Sequence, residues 1–363
     1  MQLCGLKRRQ SGHDPGRVVR DLAVMLADGG DCLADLGAVR DQQALFGAVA
    51  SDSTAFRVID QIASSAGLLD ALADAHGCAR EHVWKLTGAP KQVTIEVDAT
   101  LLTAHSDKEG AAGTFKGGYG FHPMLAYCDE TGEALAAILR PGNAGSNTAA
   151  DQIAVVEQAL EQIPGEQIEN IEILVRADTA GATHDLLDFC REHRLRYSVG
   201  YELTEQIRAA ILKVPDEQWI AALAAGGTPR ANGQVVEITD LLDLSSWPSR
   251  SRVIVRRERA HPRAQLSFCD HDGHRFQATL TDQPDIDIQI LERRHRQRAH
   301  CEDHIRNDKD TGLRNMPFRD FEHNQVWLML VLIAQRHRTP PHASLTLRCA
   351  PRVTSPRLPH DPG

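Results

Sequence analysis

At residue 93 the hydrophobic pattern of this chain changes period, and that change limits the folds open to it. Before it, apolar residues recur at helical spacing: Val18, Val19, Leu22, Ala23 and Leu26 up to the stop at Gly29-Gly30. Phe56, Ile59 and Ala63 then follow the N-capping oxygens of Ser51-Asp52-Ser53. From residue 93 the run Val93-Thr94-Ile95-Glu96-Val97-Asp98 alternates apolar and polar, as a half-buried strand does. Further strands are expected over 118–128 and 134–140, on either side of the turn Asp129-Glu130-Thr131-Gly132. An amphipathic helix over 148–162 carries Ile153, Val156 and Leu160. Ile171-Glu172-Ile173-Leu174-Val175 reads as a central buried strand ending at Asp178, with a helix at 183–193 and a strand at 195–200 after it.

Three strands, helix, strand, helix, strand is the order of an α/β fold of the RNase H-like kind, a mixed sheet flanked by helices. Residues 91–200 are expected to form the first part of that core. Over 201–288 the composition shifts to Gly-, Pro- and Ser-rich turns after one helical stretch. Candidate strands there lie at 235–238, 252–257, 265–269 and 276–281, a mostly β insertion. The helical pattern resumes at 290 and is expected to continue past Arg319 through the apolar helix around Trp327, so 289–337 returns to the core. Residues 1–90 form an N-terminal helical region. Two of its short helices could grip DNA as a helix-turn-helix, although no residue reports a groove contact and a plain helical bundle is the favoured reading. Residues 338–363 are expected to be disordered. The last 24 residues hold six of the chain's 17 prolines, and their abrupt start after Ala334-Gln335 reads as out-of-frame sequence.

The longest apolar run, 326–334, is about half of the ~20 residues a membrane span needs, and no apolar stretch follows the basic residues of the first ten. A cytoplasmic protein is the expectation, nucleoid-associated when acting. The eight cysteines are scattered without a C-x-x-C pair, so neither a zinc ribbon nor a disulfide scaffold is implied. The net charge of −9 argues against a nucleic-acid partner only if the positive charge is spread evenly. It is not: residues 291–319 carry eight Lys/Arg against five Asp/Glu, with three histidines, and form the expected electrostatic footprint for DNA.

Asp98 and Asp178 end two strands that such a sheet places side by side, so their carboxylates converge at one rim. Phosphodiester chemistry uses a cluster of this kind, because hard Mg²⁺ prefers oxygen ligands and paired ions activate a nucleophile and stabilise the leaving oxygen. A lone Asp at a strand end is more often a turn or cap residue. The third element is the pattern His295-x2-Arg298-x3-Glu302-x6-Lys309. On one continuous helix at ~100° per residue these positions, with Arg306, fall within roughly 80° of one another. Glu302 would then ligate metal while Arg298, Arg306 and Lys309 contact DNA oxygens. A solvated face with Arg298–Glu302 and Glu302–Arg306 pairs, each contributing a few tenths of a kcal/mol, is the plain alternative.

Other constellations carry less. Cys269-Asp270-His271-Asp272-Gly273-His274 offers zinc-type ligands but reads better as a hairpin turn. His300-x3-His304 has a helical metal spacing yet lies off the Glu302 stripe, and is expected to be polar surface. Gly117-Gly118-Tyr119-Gly120 lacks the Lys-Ser ending of a nucleotide loop. Lys116, just before it, could reach a DNA phosphate.

The 295–309 spacing is similar to the Y-x2-R-x3-E-x6-K signature of a large group of DDE transposases, with His295 at the tyrosine position. Val97-Asp98-Ala99-Thr100, the stretch 116–123 (Lys-Gly-Gly-Tyr-Gly-Phe-His-Pro) and Arg176-Ala177-Asp178 resemble those of the insertion sequence 1380 family, as does the helical stretch 31–49. The resemblance spans roughly residues 14–335. It implies an RNase H-like transposase with Asp98, Asp178 and Glu302 as its acids, two Mg²⁺ ions (Mn²⁺ can substitute), and the β segment as the insertion between second and third acids. It also implies terminal inverted repeats and target DNA as partners, a homodimer on DNA, no membrane, and His295, Arg298, Arg306, Lys309 and Lys116 on the nucleic acid. The substitution of His295 for tyrosine, the short N-terminus and the unlike tail depart from the family. They motivate a second reading, a truncated and catalytically inactive remnant that binds DNA ends. A host nuclease on the same fold is the third.

Overall fold

The computed structural model describes residues 12–104, 107–165, 171–259, 270–271 and 273–338. Its N-terminal third is helical: α1 (Pro15–Ala27), α2 (Leu36–Arg40), α3 (Gln43–Phe46), α4 (Asp52–Ala63) and α5 (Ala66–Thr87). Asp14 starts α1, accepting the Arg17 N–H at 3.0 Å, and Pro15 stands where a missing amide hydrogen costs nothing.

Strand β1 (Gln92–Ala99) begins the sheet. Two short strands, β2 (Leu102–Thr103) and β3 (Ala112–Gly113), flank β4 (Tyr119–Phe121) in a small separate sheet. β5 (Met124–Cys128) and β6 (Glu133–Ile138) return antiparallel on β1. The single strand expected over 118–128 is thus two. Pro123, which has no N–H for a ladder, falls at the break, and its carbonyl accepts the Thr100 N–H at 3.1 Å. Gly120 fits this corner because a Cβ there would stand 1.9 Å from the Leu102 carbonyl oxygen.

Helix α6 (Ala149–Glu161) then crosses to β7 (Glu172–Ala177), and α7 (His184–Glu192) to β8 (Arg196–Tyr201). β7 is parallel to β1, and β8 to β7. The resulting order β6-β5-β1-β7-β8, first three antiparallel and last two parallel to β1, is that of an RNase H-like core. Val155, Val156 and Ala159 of α6 cover one face of it, as the helical period requires.

After α8 (Glu205–Ile211) come β9 (Ile220–Leu223), β10 (Pro229–Glu237), β11 (Arg252–Arg259), β12 (Asp270–His271) and β13 (His274–Thr281). β13 pairs antiparallel with β8, Thr279 opposite Gly200, so these strands extend the core sheet in the order β8-β13-β11-β10-β9. The short, half-exposed β9 is a strand that the residue pattern did not reveal. His271 pairs with His274, and Gly273 between them takes φ 74°. The strand expected at 265–269, Cys269 and Asp272 lie outside the described residues.

The final segment departs from the expected continuous helix. α9 (Ile288–Arg296) ends at Gln297, α10 (Ala299–Asp308) starts after Arg298, a wide turn follows over Lys309–Leu313, and α11 (Phe321–Arg338) begins afresh. At the first break the amides of Arg298, His300 and Cys301 bond to carbonyls three residues back, which tightens the turn. At the second, Gly312 takes φ 101°, which ends a right-handed helix.

α11 packs against the N-terminal helices α1 and α4. Val326, Trp327, Leu330 and Val331 are buried against Val18, Leu22 and Leu26 of α1 and Ile59 of α4. Its glutamines cover the outer edge of β6. Gln325 accepts the Leu139 N–H at 2.7 Å, Gln335 accepts the Ala134 N–H at 3.1 Å, and Gln335 donates to the Gly132 carbonyl at 2.7 Å. No described helix is long and apolar enough to cross a membrane.

Candidate active site

The parallel register of β1 on β7 sets the site. Val97 lies opposite Ala177, so Asp98 and Asp178 are the next pair along, at the same end of two central strands. Asp178 caps the turn that follows: its Oδ1 accepts the Ala180 N–H at 2.9 Å. Asp98 Oδ1 accepts the Ala99 N–H at 2.8 Å, and Oδ2 accepts from Arg298 at 3.1 Å. Burial raises the Asp98 carboxyl above its ordinary range, Arg298 pulls it down, and the nearby Asp178 pushes it up again.

Beneath this pair lies a second charged layer. Glu96 and Arg176, each two residues earlier on its strand, are fully buried. Arg176 Nε donates to Glu96 at 2.9 Å, Nη2 reaches Asp129 at 2.6 Å, and Nη1 donates to the Arg294 carbonyl on α9. Burial pushes the Glu96 carboxyl up even against the pull of Arg176. The guanidinium therefore fastens the sheet to the helix that precedes Arg298. The cross-strand pairing that creates this layer needs the register, and sequence reasoning missed it.

Glu302 reaches the site from α10. Asp178, His295, Arg298 and Glu302 line one cleft of ≈ 510 Å³, together with Glu202 just after β8 and Arg256 on β11. Asp98 joins them through its bond to Arg298. The Glu302 side chain is 65 % exposed and 4.0 Å from Arg298. Asp98, Asp178 and Glu302 are not among the described groups whose ligand atoms lie within 4.8 Å of one another. Asp98 and Asp178 stand at adjacent strand ends, and Glu302 lines the cleft wall beside Arg298 with its side chain mostly exposed.

The cations are distributed unequally, because the helix break dissolves the single stripe. Lys309, in the turn after α10, is close enough to feel Asp98 and Lys116; burial and Arg314 hold its ammonium below its usual range. Lys116 lies on the exposed loop between β3 and β4, 5.6 Å over the Phe115 ring. Arg306 is exposed on α10, pairs with Asp303 at 2.7 Å and does not line the cleft. His295 lines the cleft and shares a 3.0 Å hydrogen bond with the Ser198 hydroxyl. Desolvation, with Arg176, Arg298 and Arg256 around it, pulls its imidazole down to about 3, so it is a neutral hydrogen-bonding group. His122, part of the 116–123 stretch but given no role from sequence, is buried beside the Asp98 end of the site. Its Nδ1 is 2.8 Å from the Ala144 carbonyl, and burial lowers its pKa.

Asp98 and Asp178 offer only hard oxygen donors, in a half-buried setting where burial and like charge penalise ionised Asp98. A hard divalent cation would relieve that penalty, so the donor set fits one.

Among curated proteins no match was found. A solved structure of piggyBac transposase, in a synaptic complex with hairpin DNA, is similar at a TM-score of 0.49 and 10 % identity, over 92 % of this chain and 68 % of that one. The profile of the family described as transposase DDE domain group 1 matches residues 4–337, nearly the whole chain. The chain therefore belongs to the transposase DDE domain group 1 and is a DNA transposase.

Proposed function

We propose that this transposase belongs to the insertion sequence 1380 branch of its family and cuts and joins DNA at the ends of such an element. Asp98, Asp178 and Glu302 are its catalytic acids. The single observation that carries the reading is the placement of Asp98 and Asp178 at adjacent strand ends, with Glu302 across the same cleft. Magnesium, or manganese in its place, supplies charge neutralisation and activation of water or a 3′-hydroxyl when bound by these carboxylates.

The chain's own groups do the positioning. Arg298 holds Asp98 and approaches Glu302, so it fixes the relative placement of first and third acids. Being bidentate and permanently charged, its guanidinium can also share a phosphate oxygen. Lys309 and Lys116 stand on the Asp98 side, where they meet the backbone of a DNA strand entering the cleft. Neutral His295 is held by Ser198 and offers its other ring nitrogen to the strand or to water. Arg306, outside the cleft, adds non-specific attraction to flanking DNA. The partners are the terminal inverted repeats and target DNA, bound as a homodimer that joins two ends.

Excision in cells tests the reading. The element's inverted repeats are placed around a marker, with the protein supplied unchanged, as Asp178→Ala or as Glu302→Gln. Excision by the unchanged protein and its loss in both variants, each folded and still binding the ends, is the expected result. Excision by either variant removes that residue from catalysis. No excision by the unchanged protein while ends are bound would mean a DNA-binding protein without activity.

A further inference from the structure

The layer beneath Asp98 and Asp178 contains ligands that strand cleavage does not use. Glu96 comes from β1, Asp129 from the β5–β6 turn, and His304 from α10, two residues beyond Glu302. One ligand atom of each lies within 4.8 Å of the others. Glu96 is 0 % exposed, and its Oε2 is buried without a hydrogen-bond partner. His304 Nε2 is buried and equally unpartnered. A buried polar atom without a partner is destabilising, and this one group holds two, on Glu96 and His304, which a common ligand would satisfy. Arg176 does not satisfy them, since it bonds Glu96 through Oε1 and Asp129 through Oδ2. Asp129 Oδ1 lies 2.8 Å from His300 Nδ1, one helical turn before His304. Such outer hydrogen bonds orient metal-ligating carboxylates.

We propose that Glu96, Asp129 and His304 form a second metal site, separate from the catalytic acids, that takes one borderline divalent ion of the zinc class. Two carboxylates and one imidazole suit zinc better than magnesium, which keeps to oxygen donors and retains its waters. Each ligand comes from a different element, so the ion would fasten α10 to β1 and to the turn after β5. Glu302, exposed at the cleft wall, rides on that same helix. The site's role is therefore positional: it fixes the helix that presents the third acid. Its existence does not depend on the strand-cleavage reading.

Zinc binding by the full chain is the test, in a background of Asp98→Asn and Asp178→Asn so that the upper pair cannot hold the ion. Metal-free protein is titrated with Zn²⁺ in excess Mg²⁺, and bound metal is counted by atomic absorption. One zinc per chain is expected. His304→Gln and Asp129→Asn, checked for fold by circular dichroism, should each weaken binding by at least about tenfold. If either variant fails to fold, zinc-edge X-ray absorption of the parent decides: a shell with imidazole scattering is expected, and an oxygen-only shell overturns the assignment. No zinc bound in excess Mg²⁺, or binding indifferent to both substitutions, overturns it as well.

Discussion

At the residue scale the site turns on Arg298. Its guanidinium sits at the break between α9 and α10, donates to Asp98 at 3.1 Å and stands 4.0 Å from Glu302. A break there lets the side chain point back to the sheet, which a residue in mid-helix on an outward face could not do. Arg298→Ala leaves Asp98 half-buried beside Asp178 without its cation. Cleavage at the element's ends is expected to fall roughly 10²-fold, the scale of removing one charged donor from an active site. Arg298→Lys keeps the charge but loses the planar fork and should recover only part of the rate. Both variants should bind end DNA nearly as the parent does, because several other cations contribute. A gel-shift and cleavage pair separates the two effects: equal losses of binding and cleavage would make Arg298 a phosphate contact alone.

At the element scale α10 must be docked firmly enough to carry Glu302, and Asp308 at its end does part of this. Tyr127 on β5 donates to Asp308 Oδ2 at 2.6 Å, both residues being fully buried. Burial lifts the Asp308 carboxyl from 3.8 to about 7, so its charged form is disfavoured in the fold. The sign follows: its contribution to stability is fully present below the unfolded-chain value and is lost as pH rises through about 7. At ~1.4 kcal/mol per unit, the loss has an upper limit of about 4 kcal/mol. Asp308→Asn keeps an acceptor for Tyr127 and removes the ionisation. Thermal melts of parent and variant from about pH 4 to about pH 8 should diverge as pH rises, the variant becoming the more stable. Parallel melting curves would show that Asp308 does not ionise in this window. The contact is also a lesson in what sequence carries. β1, β7 and β8 were legible because each is an uninterrupted or alternating apolar run, and their ends placed Asp98 and Asp178. The break at Gln297-Arg298 was not, since both residues are good helix formers and only packing on the sheet selects the tighter turn. Gly312 does signal the second break, since it takes a φ of 101° that other residues adopt only under strain, and the helical period of its neighbours masks that signal. The Glu96–Arg176 layer and the meeting of His304 with Asp129 needed strand register and helix docking, which no spacing along the chain encodes.

At the scale of the whole molecule the question is whether the N-terminal helices and the catalytic sheet fold as one. The packing says that they do. Trp327 is completely buried, stands edge-on to Phe318 at 5.8 Å, and lies in one apolar cluster with α1, α4 and the inner residues of β5 and β6. The same helix caps the β6 edge through Gln325 and Gln335, so one element supports both the helical region and the sheet that holds Asp98. Arg80 adds a second tie, from α5 to Glu133 at 2.7 Å and to the Ala134 carbonyl at 2.8 Å. Trp327→Ala should destabilise the chain by about 3–5 kcal/mol through the cavity it leaves. The shared cluster makes a stronger demand, that the loss be felt together. Hydrogen exchange followed by mass spectrometry should show the amides of α1, α11 and β6 speeding up in parallel in the variant, in a single unfolding transition. Faster exchange in α1 alone would mean that the helical region opens independently, and that α11 belongs to the sheet and only borrows the helices as cover.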